Sequence, residues 1–140
     1  MILSEATLRS ETFQTLYNLI DANKPVGWTV LSAYPTANPI FPCIIINSAN
    51  IEFDKLVLHG GTRERIITVL VEAFAKANQG KGKIDEALDN IDNTIITNQN
   101  SLFTTYGLDF QTIDASNQDV FIENDQRINT GALIVEFKFG

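Results

Sequence analysis

The sequence predicts an α+β fold in which an antiparallel or mixed β-sheet carries two main helices on one face. Two segments have the apolar spacing of amphipathic helices, and several others have the β-branched or alternating composition of strands. The strands fall in groups between and after the helices and do not alternate with them, which is typical of α+β proteins. The predicted order is α-β-β-β-α-β-β-β, and a length of 140 residues fits a single domain covering 1–140.

The first predicted helix runs from Thr7 to Asn23. Its apolar residues recur every three or four positions, so they share one face. Ser4 or Ser10 can cap its first turn, and Pro25 closes the segment. The apolar positions are Leu8, Phe13, Leu16, Tyr17 and Ile20.

The next segment contains all four prolines of the chain, between residues 25 and 42. Proline breaks helices and removes a hydrogen-bond donor from strands. We therefore predict a short strand around Trp28 to Tyr34, followed by a stiff, extended connection. Cys43 to Ile46 is apolar on both faces, which is typical of a central strand.

Residues 47–62 alternate weakly and end near the paired glycines Gly60 and Gly61, a composition that predicts a long β-hairpin arm. The segment from Arg63 to Lys76 is rich in β-branched residues and exceeds the usual strand length of about five or six residues. We expect it to be the longest strand and to extend past the core at one end.

A breaker-rich loop at 78–83 precedes the second predicted helix, in which Ile84, Leu88, Ile91 and Ile95 step by four, three and four positions. Strand patterns then close the chain, separated by polar turns. These strands are expected at Leu108 to Asp114, at Val120 to Ile122 and at the C-terminus, where Leu133, Val135, Phe137 and Phe139 form an apolar face.

The chain is acidic, with 10 basic and 17 acidic residues and a net charge of -7. Such a surface repels phosphate, so strong stand-alone binding to nucleic acid is not expected. The N-terminus lacks the pattern of a signal peptide, and no apolar run approaches the roughly 18 residues that a membrane span needs. We expect a soluble, unprocessed protein made inside the cell, with no membrane partner.

Catalytic and metal-binding patterns are weak throughout the sequence. The single histidine, His59, lies in a predicted glycine turn, and the chain has no Gly-x-Ser-x-Gly nucleophile elbow. The single cysteine, Cys43, begins an apolar strand, where a buried structural thiol is common. The loop Gly80 to Lys83 lacks the Walker spacing of a phosphate loop. We predict that the protein is not an enzyme and binds neither a cofactor nor a metal.

Four acidic residues cluster in and around predicted β-turns near the C-terminus. Aspartate is common in turns because its side chain forms local hydrogen bonds. The cluster lacks the glycine and the closing glutamate of an EF-hand loop, so calcium binding is not expected. Its members are Asp114, Asp119, Glu123 and Asp125.

The predicted arm carries more apolar surface than a solvated hairpin needs. A two-stranded hairpin is marginally stable alone in water, so these side chains need a partner. We expect the partner to be a neighbouring subunit, with charged residues at the rim of the contact. The alternative is that the arm folds back on its own sheet. The residues assigned to this subunit interface are Ile51, Phe53, Leu56, Val57, Leu58 and His59.

The element order, together with several segments of the sequence, resembles one known family over nearly the whole chain. The segments are Pro39 to Ile46, the strand Ile67 to Lys76 that feeds into a helix at Ile84, the restart at Tyr106 to Leu108 and the closing strand Gly131 to Phe139. They resemble the tail terminator proteins of long-tailed bacteriophages, also called tail completion or neck proteins. The loop at 78–83 departs from the pattern, because it is longer and richer in glycine than the resemblance leads us to expect.

The resemblance implies a homohexameric ring that caps the tail tube at its head-proximal end, terminates tube polymerisation and joins the tail to the head connector. It implies the tube protein and the connector or stopper protein as partners, and a virion location after synthesis in the host cytoplasm. DNA would pass through the lumen without tight or specific binding. An acidic lumen or docking face would be formed by Asp114, Asp119, Glu123 and Asp125.

Two other functions stay open on the sequence alone. Another neck or tail-tube component, such as a head-closure protein or a tube protein, would share the acidic and non-enzymatic character. A small ligand-binding or regulatory α+β domain would instead bury a polar group in an apolar pocket. Microscopy of the purified protein discriminates between them, because rings favour a virion component and a compact monomer favours the ligand-binding domain.

Overall fold

A computed structural model describes most of the chain, namely residues 2–33, 40–47, 50–53, 65–79, 82–115, 119–123 and 126–139. Within these residues, seven strands form one mixed sheet that packs against two long helices. The predicted α+β class is confirmed.

The two long helices have 16 residues each. α1 spans Leu8–Asn23 and follows a 3₁₀ turn at Glu5–Thr7, in which the Ser4 side chain accepts a hydrogen bond from the Ala6 N–H. α2 spans Gly82–Thr97, two residues earlier at its start than the predicted apolar series. After α2 come the short helix α3 at Gln99–Ser101 and a π-helical turn at Leu102–Tyr106.

The strands lie side by side in an order that differs from their order in the chain. Across the sheet the order is β1-β2-β4-β7-β5, with β3 also beside β4 and β6 also beside β7. β1 runs parallel to β2, and the other pairs are antiparallel. The strands are β1 (Thr29–Leu31), β2 (Cys43–Ile46), β3 (Asn50–Phe53), β4 (Arg65–Lys76), β5 (Asp109–Ala115), β6 (Asp119–Glu123) and β7 (Gln126–Phe139).

β4 and β7 lie next to each other in the middle of the sheet. Their register is continuous over 12 residue pairs, from Arg65 opposite Phe139 to Lys76 opposite Ile128. β7 has 14 residues and β4 has 12, so the prediction that the β4 segment would be the longest strand is wrong. The difference arises because β7 begins with Gln126 and Arg127, which pair only with β6.

The predicted order of elements needs one correction, because four strands precede α2. The additional strand, β3, lies inside the predicted hairpin arm and pairs with the first part of β4, from Asn50 opposite Thr68 to Phe53 opposite Arg65. β2 pairs with the last part of β4, from Ile46 opposite Val71 onwards. β2 and β3 therefore follow β4 along most of its length, and residues 48–49 and 54–62 of the predicted arm lie outside the described residues.

The main core lies between the helices and one face of the sheet, as predicted. Successive residues of a strand point to opposite faces, and the alternate residues that face the helices are fully or almost fully buried. α1 contributes Leu8, Leu16 and Ile20 to this core. The strand residues in it include Ile67, Val69, Val71, Ala73 and Ala75 of β4 and Leu133, Val135, Phe137 and Phe139 of β7.

A second, smaller apolar cluster lies on the opposite face of the sheet. Its residues alternate along β2 and β4 with those of the main core, which places them on the other face. The cluster lies at the Lys76 end of β4. In the described part of the chain, no helix covers the rest of this face. The cluster consists of buried Cys43, Ile45, Phe74 and Ile128, with Leu31 and Phe41 packed against it.

Gly107 ends the π-helical turn and returns the chain to the sheet. Its φ is 81°, in the left-handed region, and its N–H donates a 2.9 Å hydrogen bond to the Phe103 carbonyl. A Cβ at this position would lie 3.0 Å from a ring carbon of Phe139 and 3.2 Å from Cγ2 of Ile2. Both the conformation and the space therefore require glycine.

We expect Gly107→Ala to lower the free energy of unfolding by about 2–3 kcal/mol, since the left-handed conformation costs about 1–2 kcal/mol for a residue with a Cβ and the methyl group also presses on Phe139. Gly27→Ala is the matched control. Gly27 has a φ of 89°, but an added Cβ would meet no atom within 4 Å. Urea denaturation measures both losses, and equal losses would show that the Phe139 contact costs nothing.

Candidate interaction surfaces

The face of the sheet turned away from α1 and α2 is only partly covered. Ile66, Thr68 and Leu70 of β4 are half-buried there, whereas their helix-side neighbours Ile67 and Val69 are completely buried. Ile134 of β7 pairs with Leu70 and is 39% exposed. We name the surface formed by Ile66, Thr68, Leu70 and Ile134 the open face.

Carboxylates border the open face on β5 and β7. Asp114 lies opposite Ile134 across the β5–β7 ladder, and its side chain is exposed. Glu136 lies two residues from Ile134 along β7, so its side chain is on the same face. The apolar centre of the open face therefore has negative charge beside it on this side.

β4 adds a third carboxylate. Glu72 lies two residues from Leu70 and on the same face, and its Oε1 accepts a 3.0 Å hydrogen bond from Nδ2 of Asn47. At the other end Lys138, which pairs with Ile66, provides a positive charge. The open face is thus an apolar centre with a predominantly acidic border.

The structure places the predicted acidic cluster along one edge of the sheet, as far as it is described. β5 and β6 follow each other along β7, so Asp114 in β5 shares that edge with Asp119 and Glu123 in β6. The side chains of Asp119 and Glu123 are not described, and Asp125 lies outside the described residues. A role of these residues in a lumen stays a prediction.

The predicted subunit interface is described in part. Ile51 is half-buried and packs against the protein's own main core, as expected of an arm that folds back on its sheet. Phe53 belongs to β3, opposite Arg65, and its side chain is not described. The interface stays a prediction for the remaining residues, which lie outside the described part of the chain: Leu56, Val57, Leu58 and His59.

A further apolar surface, which the sequence reasoning missed, lies on the hairpin formed by β6 and β7. Val120 is 53% exposed and Ile122 is 72% exposed, and both are on the same side of β6. Their partners on β7 are Asn129 and exposed Arg127. We name Val120, Ile122 and Arg127 the hairpin patch. The sequence does carry a sign of this patch. Its apolar residues on β6 pair with polar residues of β7, and such mixed pairs are not expected on a buried face of a sheet.

A groove of about 500 Å³ lies between α1 and the π-helical turn. Its lining combines three leucines with amide and hydroxyl side chains and the carboxylate of Glu11, and Gln14 Nε2 donates a 2.9 Å hydrogen bond to Asn18 Oδ1 within it. π-Helical turns are rare and often occur at functional sites. The lining residues include Leu3, Gln14, Asn18, Leu19, Asn98 and Leu102.

The described residues contain no group of three or more His, Cys, Asp and Glu side chains arranged to hold a metal ion. Cys43 is completely buried in the second cluster, where a thiol is shielded from substrates. None of the helices in the described part of the chain is both long and apolar enough to span a membrane.

Glu11 connects the N-terminal segment to α1 at the edge of the groove. The Ser4 N–H donates a 2.9 Å hydrogen bond to Glu11 Oε2, and the Leu3 N–H donates to the Tyr106 carbonyl at 3.0 Å. Hydrogen bonds from the Ser4 backbone and the Thr7 side chain lower the pKa of Glu11 below its ordinary value of 4.5. A lowered pKa stabilises the folded state above pH 4.5, and this contribution is lost as the pH falls through the folded-state pKa.

We expect Glu11→Gln to lower the melting temperature at pH 7, because a neutral amide accepts the Ser4 hydrogen bond more weakly than a carboxylate does. The melting temperatures of variant and unmodified protein should converge as the pH falls below 4.5 and Glu11 takes up a proton. Asp89→Asn, on the exposed side of α2, removes the same charge without this contact and controls for it. A difference that persists at low pH would assign the loss to packing.

A scan of the sequence against protein-family models gives no match, and a search of the curated proteins gives none either.

Proposed function

We propose that this protein is a tail terminator of a long-tailed bacteriophage, a structural subunit that assembles into a ring, caps the tail tube and joins it to the head connector. The observation that carries the proposal is the one-sided sheet. Its helix side is buried in a closed core, whereas the open face leaves Leu70 half-buried and Ile134 39% exposed. An uncovered apolar surface of this kind gives the subunit a reason to assemble.

The size of the open face agrees with a contact between proteins. The part of the sheet that contains the open face, from Ile66 to Glu72 along β4 and four strands wide, measures about 23 Å by about 19 Å, or about 450 Å² of polar and apolar surface together. Contiguous apolar patches of about 300–600 Å² are often functional, and the apolar side chains of the open face supply part of this surface. The proposal that this contact builds a ring on a tail tube comes from the resemblance of the sequence to tail terminators.

In this role the protein acts by binding and needs no reaction centre. Its partners are further copies of itself, the tube protein and the connector or stopper protein, and it is located at the head-proximal end of the tail. DNA passes through the ring, and the net charge of -7 per copy opposes tight binding to it. A head-closure or tube protein of the same virion would use the open face in the same way, with different neighbours in the tail.

A second function, a small ligand-binding or regulatory domain, is favoured by the groove between α1 and the π-helical turn. Its volume of about 500 Å³ falls within the usual range for small-molecule sites. Leucines, amide side chains and the Glu11 carboxylate would suit a ligand with both apolar groups and hydrogen-bond donors. This function requires no ring, so the state of assembly separates the two.

Electron microscopy of the purified protein, alone and mixed with tail tubes, tests the proposal. We expect rings, or a cap at one end of each tube, and we expect tubes to stop growing when the protein is present. Native mass spectrometry gives the number of copies, six in the simplest case. A compact monomer that leaves tube ends bare and tube growth unchanged would contradict the proposal and favour the ligand-binding domain.

Replacement of residues 54–64 by Asn-Gly removes the part of the predicted arm that follows β3, together with residues 63–64, and tests its role. Phe53 and Arg65 are paired across β3 and β4, so a two-residue turn can join them directly. We expect an unchanged melting temperature and a loss of rings or tube caps, because the removed residues contribute to the subunit contact. A Gly-Ser segment of the original length controls for loop length. If the melting temperature collapses, the arm belongs to the protein's own core.

A further inference from the structure

We propose that the hairpin patch of one copy docks on the open face of the next, so that copies join head to tail. This inference rests on the proposed function, because it names the contact between subunits of the assembly. It concerns residues that the sequence reasoning did not assign to any interface: Leu70, Ile134 and Glu136 on one side, and Val120, Ile122 and Arg127 on the other.

The two surfaces cannot meet within one copy. β7 is continuous, and alternate residues along it point to opposite faces. Arg127 and Ile134 are seven residues apart, so they lie on opposite faces of the sheet and about 23 Å apart along the strand. The hairpin patch of a copy therefore stays exposed unless another molecule covers it.

The chemistry of the two surfaces is complementary. The open face has an apolar centre at Leu70 and Ile134, beside the carboxylate of Glu136. The hairpin patch has two apolar side chains beside the guanidinium of Arg127. Arginine binds carboxylates through two parallel hydrogen bonds, which fixes the orientation of such a contact.

A second copy is favoured over other occupants because of charge. Two open faces packed on each other would bring acidic borders together, and such like-charge contacts are costly. Among the described cations, Lys24 and Lys83 are already engaged, with Asp21 at 2.7 Å and with Glu86 at 3.8 Å. Arg127 has no acidic partner among the described residues, and it lies beside the exposed apolar side chains of β6.

The contact is heterologous, because two different surfaces meet. Heterologous contacts continue from copy to copy and end in a closed ring or an open filament. A contact of about 450 Å² per side, or about 900 Å² in total, is smaller than the standard specific interface of about 1,600 Å² and falls in the range of weak contacts. Each copy in a closed ring makes two such contacts, so the ring is held more strongly than any single pair.

Disulfide trapping tests the contact directly. Val120→Cys in one batch of protein and Ile134→Cys in another are mixed under mild oxidation, and the buried Cys43 serves as the unreactive background. We expect a mixed disulfide between the two variants and much less within either variant alone. Trapping captures weak contacts, and both changes are at exposed positions, so the fold is preserved. Absence of the mixed disulfide, with the two variants folded, would overturn the inference.

Charge reversal gives a second, independent measurement. Arg127→Glu and Glu136→Lys should each weaken self-association by about tenfold or more in analytical ultracentrifugation, and the double variant should recover most of it. Lys24→Glu, which reverses a cation outside both surfaces, should leave association unchanged. Rings that form equally in all variants would overturn this inference and leave the proposed function standing. Trapped pairs without rings or tube caps would support the contact and contradict the proposed function.

Discussion

The pairing of β4 with β7 is the constraint on which the rest of this structure depends. Twelve consecutive residue pairs hold the two strands in one register, so every side chain along them is assigned to one face or the other. Val69 and Val135 face the helices as a pair, and Leu70 and Ile134 face away as the next pair. A slip of one residue in one strand would exchange its two faces and place Glu72 or Glu136 against the helices, which the buried core would not tolerate.

The same register explains why the open face and the hairpin patch are exposed and can bind another molecule. Two helices are enough to cover one face of the sheet, and the second cluster around Phe74 covers only one end of the other. What remains is a half-buried apolar strip with carboxylates beside it. β7 also extends past β4 and carries β6 as a hairpin, whose exposed Val120 and Ile122 are on the opposite side. One continuous strand thus presents both halves of the proposed contact, on different faces.

Reasoning from the sequence found part of the candidate sites. Asp114, which the sequence places in an acidic cluster near predicted turns, lies opposite Ile134 at the open face. Val120 and Ile122 were recognised as strand residues, but their exposure depends on which strand lies beside them and on how far the helices reach. Ile51, which its apolar character assigns to the predicted subunit interface, is half-buried and packs against the protein's own main core.

The sequence by itself determined the elements whose signals are local. The strand Cys43–Ile46 and the end of α1 at Asn23 agree with the prediction, because β-branched composition and a closing proline act on neighbouring residues. Only the tertiary structure decided that β3 pairs with β4, that β1 runs parallel to β2, and which strand faces stay uncovered. Those features depend on contacts between residues far apart in the chain, and the free energy of such contacts exists only once the sheet has formed.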